Sequence, residues 1–264
     1  MEEGIVAPGP FSIFKSELRM DFPDTVTRLC GLKRFSFRCH PNVGCYTECC
    51  RELNLSLTPY DVLGLCKELQ MKPADFIERY VVIEKDEKGI FPALYLGMVD
   101  DGKASCPFVS KNGCRVYNGR PGACRAYPVG RGATLDANGK KQELYVLVRE
   151  EHCKGFAEPS DHTVAEWFDN QGLLEYNTIN DEVLTLLQHE KVHEGIHLNR
   201  EQNEMFLLAL YKLDDFRELV SSPEFQDGFI LTEEERGSVF FDDLRLLRLG
   251  IRWLKEILLT ERHE

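Results

Sequence analysis

"CHPNVGCYTECC", residues Cys39–Cys50, places four cysteines in twelve positions, the last two adjacent. The chain has ten cysteines in 264 residues. Its N-terminal "MEEGIVAPGP" is acidic and poor in apolar residues, unlike a secretory signal. No apolar run has the length of a membrane span. A cytoplasmic protein is therefore expected, and clustered thiols in a reducing compartment are metal ligands or redox centres. A disulfide framework is the reading that secretion by another route would require.

The adjacent pair Cys49-Cys50 constrains the chemistry. Neighbouring side chains point apart in an extended chain. Both reach one tetrahedral ion only if the backbone bends, whereas a cluster several ångströms across, or two separate centres, accepts them more easily.

A second constellation follows in "CPFVSKNGCRVYNGRPGACRAYP", which contains Cys106, Cys114 and Cys124. Cys153 opens "CKGF". The spacings are C-x5-C-x3-C-C and C-P-F-x5-C-x9-C, not the close pairs of a zinc finger. Eight sulfurs allow two four-ligand sites, or one site with spare redox thiols. Four-coordinate sulfur suits zinc and iron–sulfur clusters alike.

Charge is distributed to match. The formal net charge is −12, which disfavours nucleic acid and anionic membranes as partners. Yet Arg28, Lys33, Arg34 and Arg38 lie in an acid-free stretch, and Lys103, Lys111, Arg115, Arg120, Arg125 and Arg131 lie in another. These islands carry most of the cysteines. Cations beside thiols lower their pKa and offset thiolate charge. Arg120 and Arg125, flanking Pro121 and Cys124, are candidates for contacting cluster sulfides or an anionic substrate, with solvated loop charges as the bland alternative.

The rest of the chain places these motifs. Residues 1–24 carry three prolines and little periodicity and read as an extended arm, which with the approach to the first cysteine gives an arm of 1–36. "LTPYDVLGLCKELQ" reads as a helix with Thr58 as N-cap, Pro59 first, and Val62, Leu65, Cys66 and Leu69 on its apolar face. Cys66 is thus a core residue. "KPADFIERYVV" reads as a second helix, and "FPALYLGMV" and "ELYVLVRE" as strands. Asn112-Gly113 marks a tight turn between two short extended pieces, and Asp136–Gly139 marks another. "RPGACRAYPVGRG" is too rich in Gly and Pro for a regular element and reads as a loop wrapping a site.

From about residue 161 the pattern is helical. Thr232 with Glu235 makes a capping box, and Leu244, Leu247, Ile251, Leu254 and Leu258 make an apolar stripe. "HEKVHEGIH" spells H-E-x-x-H twice, but Gly195, charged surroundings and no evident third ligand make it a solvated helix end. The expected architecture is α+β, mostly helical, with a small sheet presenting cysteine-rich loops at 37–160 and a helical part at 161–264.

The three cysteine strings together resemble the YkgJ-type cysteine-cluster family of zinc- or iron-chelating proteins, over about residues 37–156. The R-P-x-x-C-R-x-Y-P string is the most specific part. The cysteine pattern is also partly similar to that of the flagellin lysine N-methylases. The family usually opens with a tighter C-x2-C-x2-C-C spacing than this chain has. The resemblance implies ligand roles for Cys39, Cys45, Cys49, Cys50, Cys106, Cys114, Cys124 and Cys153. It leads to an expected iron–sulfur protein, of the four-iron, four-sulfide type, serving electron transfer with a redox partner protein or redox-linked chemistry. The alternatives are a structural zinc-binding module and a cluster-dependent protein methylase.

Overall fold

The computed structural model describes residues 22–30, 32–85 and 90–259. Most of the expected arm lies outside the described residues. The part of it that is described includes a strand, Val26–Leu29.

The chain divides into two compact units. One joins the chain up to Ser56 with Tyr95–Thr178, and the other joins Leu57–Leu94 with the chain from Ile179 onward. The first unit is centred on a three-stranded antiparallel sheet. Lys141–Val148 is the middle strand, between Val26–Leu29 and Val129–Leu135. Val129 pairs with Leu147 and Leu135 with Lys141, so this hairpin is in register along its length. Asp136 closes it, its carboxylate accepting the N–H groups of Asn138 and Lys140, each at 2.9 Å.

This sheet corrects one sequence expectation. "RPGACRAYPVGRG" is not an irregular loop: Gly122–Ala126 is a short helix, and Val129 begins the seven-residue strand. Ladder bonds are made by backbone groups, which glycine supplies as well as any residue. The paired strand Lys141–Val148 therefore overrides the local turn signals. The other short hairpin forms as expected, Val109–Ser110 against Gly113–Cys114.

Aromatic side chains pack behind the cysteine loops. The Phe37 ring lies 5.6 Å from those of Tyr127 and Trp167 and 5.2 Å from that of Phe156. Trp167 also donates its indole N–H to the Ala126 carbonyl at 2.8 Å, tying the helix Val164–Asn170 to the loop that carries Cys124.

The second unit is mostly helical. Thr58 caps the helix Pro59–Leu69 in a full capping box with Asp61, and Cys66 is buried on it beside Val62 and Leu65. Burial, with the charges of Asp214 and Asp243, pushes the Cys66 thiol up to about 12. The helices Arg200–Tyr211, Leu213–Val220 and Asp243–Leu259 build a core around Phe206, Phe216 and Trp253. The Thr232–Glu235 capping box is present. The apolar face of the last helix is wider than the expected stripe: Leu246, Leu249 and Trp253 are buried, while Leu244 and Leu258 are only half-buried.

The long helical pattern after residue 161 is broken into Val164–Asn170, Leu173–Leu187 and Glu190–His193. His189 itself is extended (φ −65°, ψ 150°) and acts as an N-cap, its Nδ1 accepting the Lys191 N–H. His189 and His193 therefore do not share one helical face, and the H-E-x-x-H spelling has no zinc-site geometry behind it. No helix among the described residues is long and apolar enough to cross a membrane.

Candidate metal centre

The cysteine-bearing segments are joined by backbone hydrogen bonds. The Cys106 N–H donates to the Cys50 carbonyl at 2.8 Å, and the Glu52 N–H to the Ala104 carbonyl at 2.9 Å. The Arg38 N–H donates to the Gly155 carbonyl at 3.0 Å, which sets Cys39 beside the turn carrying Cys153. This approach requires glycine at 155. A Cβ there would stand 2.7 Å from the Phe37 ring and 3.0 Å from the Arg38 carbonyl oxygen.

Two groups of sulfurs result. Cys39, Cys45, Cys49 and Cys153 line one small cavity together with Phe37, Tyr127, His152 and Gly155. Its volume is about 20 Å³, room for roughly one water-sized body. Cys106 and Cys114 form the second group, to which Cys50 is tied through its backbone carbonyl while its thiol meets that of Cys49. Cys114 pairs with Val109 across the hairpin, and the Cys114 charge helps to raise the Cys106 thiol. Tyr46 senses both groups, through Cys39 on one side and Cys50 and Cys114 on the other. Its hydroxyl occupies the space where a Cβ would project from Gly113, whose φ of +104° also suits glycine. Cys124 is exposed on Gly122–Ala126, and Cys30 is exposed at the end of the first strand.

Backbone N–H groups point at several of these sulfurs. Lys154 donates to Cys45 Sγ at 3.1 Å. Phe108 and Val109 donate to Cys106, and Gly155 to Cys153. Such bonds favour the thiolate. Burial and like charges oppose them. Burial pushes the Cys39 thiol up to about 11, with the Cys49, Cys45 and Cys153 charges adding to the effect. The Cys49 thiol is raised further, first by its hydrogen bond with Cys50 and then by burial. Burial also raises Cys106 and Cys153. Sulfurs so placed cannot all ionise together without a cation among them, and a cation reverses that balance.

Among the described residues, no three His, Cys, Asp or Glu side chains stand at metal-binding geometry as a finished group. The four sulfurs of the first set wall a shared cavity without meeting at a common point. The fit to a metal lies in the donor chemistry, the backbone N–H groups and the size of the cavity.

Arg120 and Arg125 both bond to carbonyls and reach the segment around Gln171. Arg120 donates to the Tyr117 carbonyl at 3.1 Å and to Gln171 Oε1 at 2.7 Å, and its guanidinium lies 3.8 Å over the Tyr117 ring. Arg125 donates to the carbonyls of Arg120, Gln171 and Asn118. Both guanidiniums thus hold the Cys124 loop to the segment around Gln171. Arg120 also favours the Cys39 thiolate by its charge.

Two polar atoms beside the first set are buried without a hydrogen-bond partner: Tyr127 Oη and Glu150 Oε2. Tyr127 belongs to the "RAYP" string, so its place in a motif was visible in the sequence, but nothing there indicated its role. Glu150 carried no signal at all. Beside the second set lies an open groove of about 450 Å³ lined by Thr47, Arg51, Ser105, Cys106 and Lys111 among others.

Residues 38–154 match the family model CxxCxxCC, described as a "Putative zinc- or iron-chelating domain". This segment of the chain is similar to that domain. The match supports metal binding by a cysteine cluster and names zinc or iron; it does not extend to the flagellin lysine N-methylases. No curated protein and no solved structure matches the chain.

Proposed function

We propose that the chain is a cysteine-ligated metal-binding protein in which Cys39, Cys45, Cys49 and Cys153 hold a single zinc or iron ion. The observation that carries this reading is the cavity of about 20 Å³ walled by these four sulfurs. It suits one ion better than a cubane cluster, which would need the walls to open. Four sulfurs are also the usual complement of a closed, structural site. Bound there, the ion would supply positive charge that keeps four neighbouring thiols ionised and ties residues 38–50 to the turn at Cys153. The chain's own contribution is to present the sulfurs from loops fixed by backbone bonds, to donate N–H groups to them, and to exclude water with Phe37.

A second reading is an iron–sulfur protein of the four-iron, four-sulfide type, used in electron transfer or redox-linked chemistry. It is favoured by the adjacent Cys49 and Cys50, which a cluster several ångströms across accepts more easily than a single tetrahedral ion does. Cys50, Cys106, Cys114 and Cys124 would then supply further ligands.

Anaerobic purification followed by zinc, iron and acid-labile sulfide analysis tests both. One equivalent of metal without sulfide, lost when Cys45 and Cys49 are replaced by Ser, is the expected result. Equal iron and sulfide with visible colour would establish the second reading in its place. Absence of tightly held metal under these conditions would overturn both.

A further inference from the structure

We propose that the groove beside Cys106 binds a small organic anion, its carboxylate or phosphate group held by Arg51 and Lys111 and its apolar part lying against Val99. This goes beyond the metal reading above and does not depend on it.

Two fixed pieces of backbone build the groove. Ser105 forms antiparallel bridges with both Arg51 and Val99, and the Val99 N–H donates to the Ser105 carbonyl at 2.8 Å. The other wall is the hairpin of Val109–Ser110 and Gly113–Cys114. Ser110 locks its turn, Oγ donating to the Gly113 carbonyl at 2.8 Å and accepting the Asn112 N–H at 3.2 Å. Lys111 is exposed in that turn. The volume of about 450 Å³ lies within the roughly 300–1,000 Å³ of small-molecule sites.

Charge favours an anion. Arg51 is pinned by its Nη1, which donates to the buried Ser105 hydroxyl. Its Nη2 has no hydrogen bond among the described residues. Its ion-pair partner, Glu48, is half exposed and stands 3.5 Å from Nε, so it offsets little of the charge. Lys111 has no ion pair among the described residues. Asp101 is the one acid lining the groove, and its Oδ1 already accepts the N–H groups of Lys103 and Ser105, at 3.0 and 3.3 Å. A guanidinium held by one nitrogen offers another to an oxyanion, whose geometry it matches. On a chain of net charge −12, such a local excess of cations concentrates anions.

The remaining lining calls for an organic body. Val99 and Val109 give the groove apolar surface, and Val99 is 45% exposed there. Apolar walls with a few charged groups are the usual make-up of a small-molecule site. The backbone is also strained around it. Thr47, which lines the groove, has φ +72°, and Glu52 and Ala104, next to Arg51 and Ser105, have φ +52° and +43°. A β-branched residue in this region is an outlier, and such conformations concentrate at ligand sites.

The test titrates the full chain with phenyl phosphate and with benzoate, by calorimetry at low salt. Inorganic phosphate and acetate serve as the counterparts without a ring. Saturable one-site binding of phenyl phosphate or of benzoate is expected, and which of the two binds identifies the anionic group. Lys111→Ala and Arg51→Gln are each expected to weaken it about tenfold or more. Lys140→Ala, which removes an exposed cation from the other hairpin turn, should leave the affinity unchanged. Arg51 lies in the packed part of the groove, so circular dichroism checks that variant's fold, and Lys111→Ala decides the matter if it fails to fold.

No saturable binding of either ring-bearing anion would overturn the proposal. So would full affinity in Lys111→Ala, or an equal loss in Lys140→Ala, which would show attraction by diffuse charge alone. Inorganic phosphate or acetate binding as tightly as its ring-bearing counterpart would overturn the role of Val99.

Discussion

Cys106 and Cys50 are joined directly, the N–H of one donating to the carbonyl of the other at 2.8 Å, although two helices lie between them in the chain. The bond brings the end of the first cysteine string against the start of the second. Arg51 and Ser105 continue the contact as an antiparallel bridge. Closing a loop that long costs entropy. On the proposed metal reading, binding to the sulfurs it brings together would offset that cost and couple binding to folding.

Removing the metal with a chelator should therefore loosen the first unit before the second. Hydrogen exchange is the measurement. Amide protection at Cys106 and Lys154 should fall on chelation, while protection at Phe206 and Leu247 in the helical core stays. Equal loss in both units would show that the cysteine loops are not specifically dependent on metal.

Gly155→Ala should damage the site without touching a sulfur. The added methyl meets the Phe37 ring and the Arg38 carbonyl, and overpacking of this kind costs about 1–3 kcal/mol. The segment carrying Cys39 must then move from the turn carrying Cys153. Chelator competition should show weaker metal binding, and thermal unfolding should show lower stability.

Cys66→Ala should leave metal content unchanged. Its sulfur is buried on the helix Pro59–Leu69, in the other compact unit from the eight cysteines. The loss of packing should cost on the order of 1 kcal/mol, read by urea unfolding beside a metal assay. A drop in bound metal would contradict this assignment.

Replacing His189 and His193 by Gln should also leave tightly bound metal in place. His189 is an N-cap outside the short helix, so the two imidazoles are not paired on one face. The expected cost is about 0.5–1 kcal/mol from the altered cap, with the metal-to-protein ratio constant.

Acid should weaken the second unit in part through Glu235. Burial raises its pKa, but the hydrogen bond from Arg252, the Thr232 N–H and the Arg252 charge outweigh that and hold it below its ordinary 4.5. Its contribution is present above about pH 4.5 and is lost as pH falls through the lowered folded value. Urea unfolding of Glu235→Gln and the unaltered protein should therefore differ at pH 7 and converge toward pH 3. A constant difference across that range would show that ionisation of Glu235 is not the source.

The sequence by itself determined what is encoded over a few residues. The N-cap at Thr58 and the capping box at Thr232 are written within four positions, and so are the hairpin turns at Asn112-Gly113 and Asp136–Gly139. The kind of chemistry was legible as well, because soft donors in this density select a narrow range of metals. Tertiary structure decided the rest. It put Cys39, Cys45, Cys49 and Cys153 around one cavity and tied the Cys50 backbone to that of Cys106, an arrangement that spacing left open. It turned "VGRG" into a strand by pairing it with Lys141–Val148, engaged Arg120 and Arg125 with carbonyls and Gln171, and left Tyr127 and Glu150 with buried oxygens. Each of these outcomes depends on which distant segment arrives alongside, through hydrogen bonds and burial summed over the whole unit, and no local pattern records that sum.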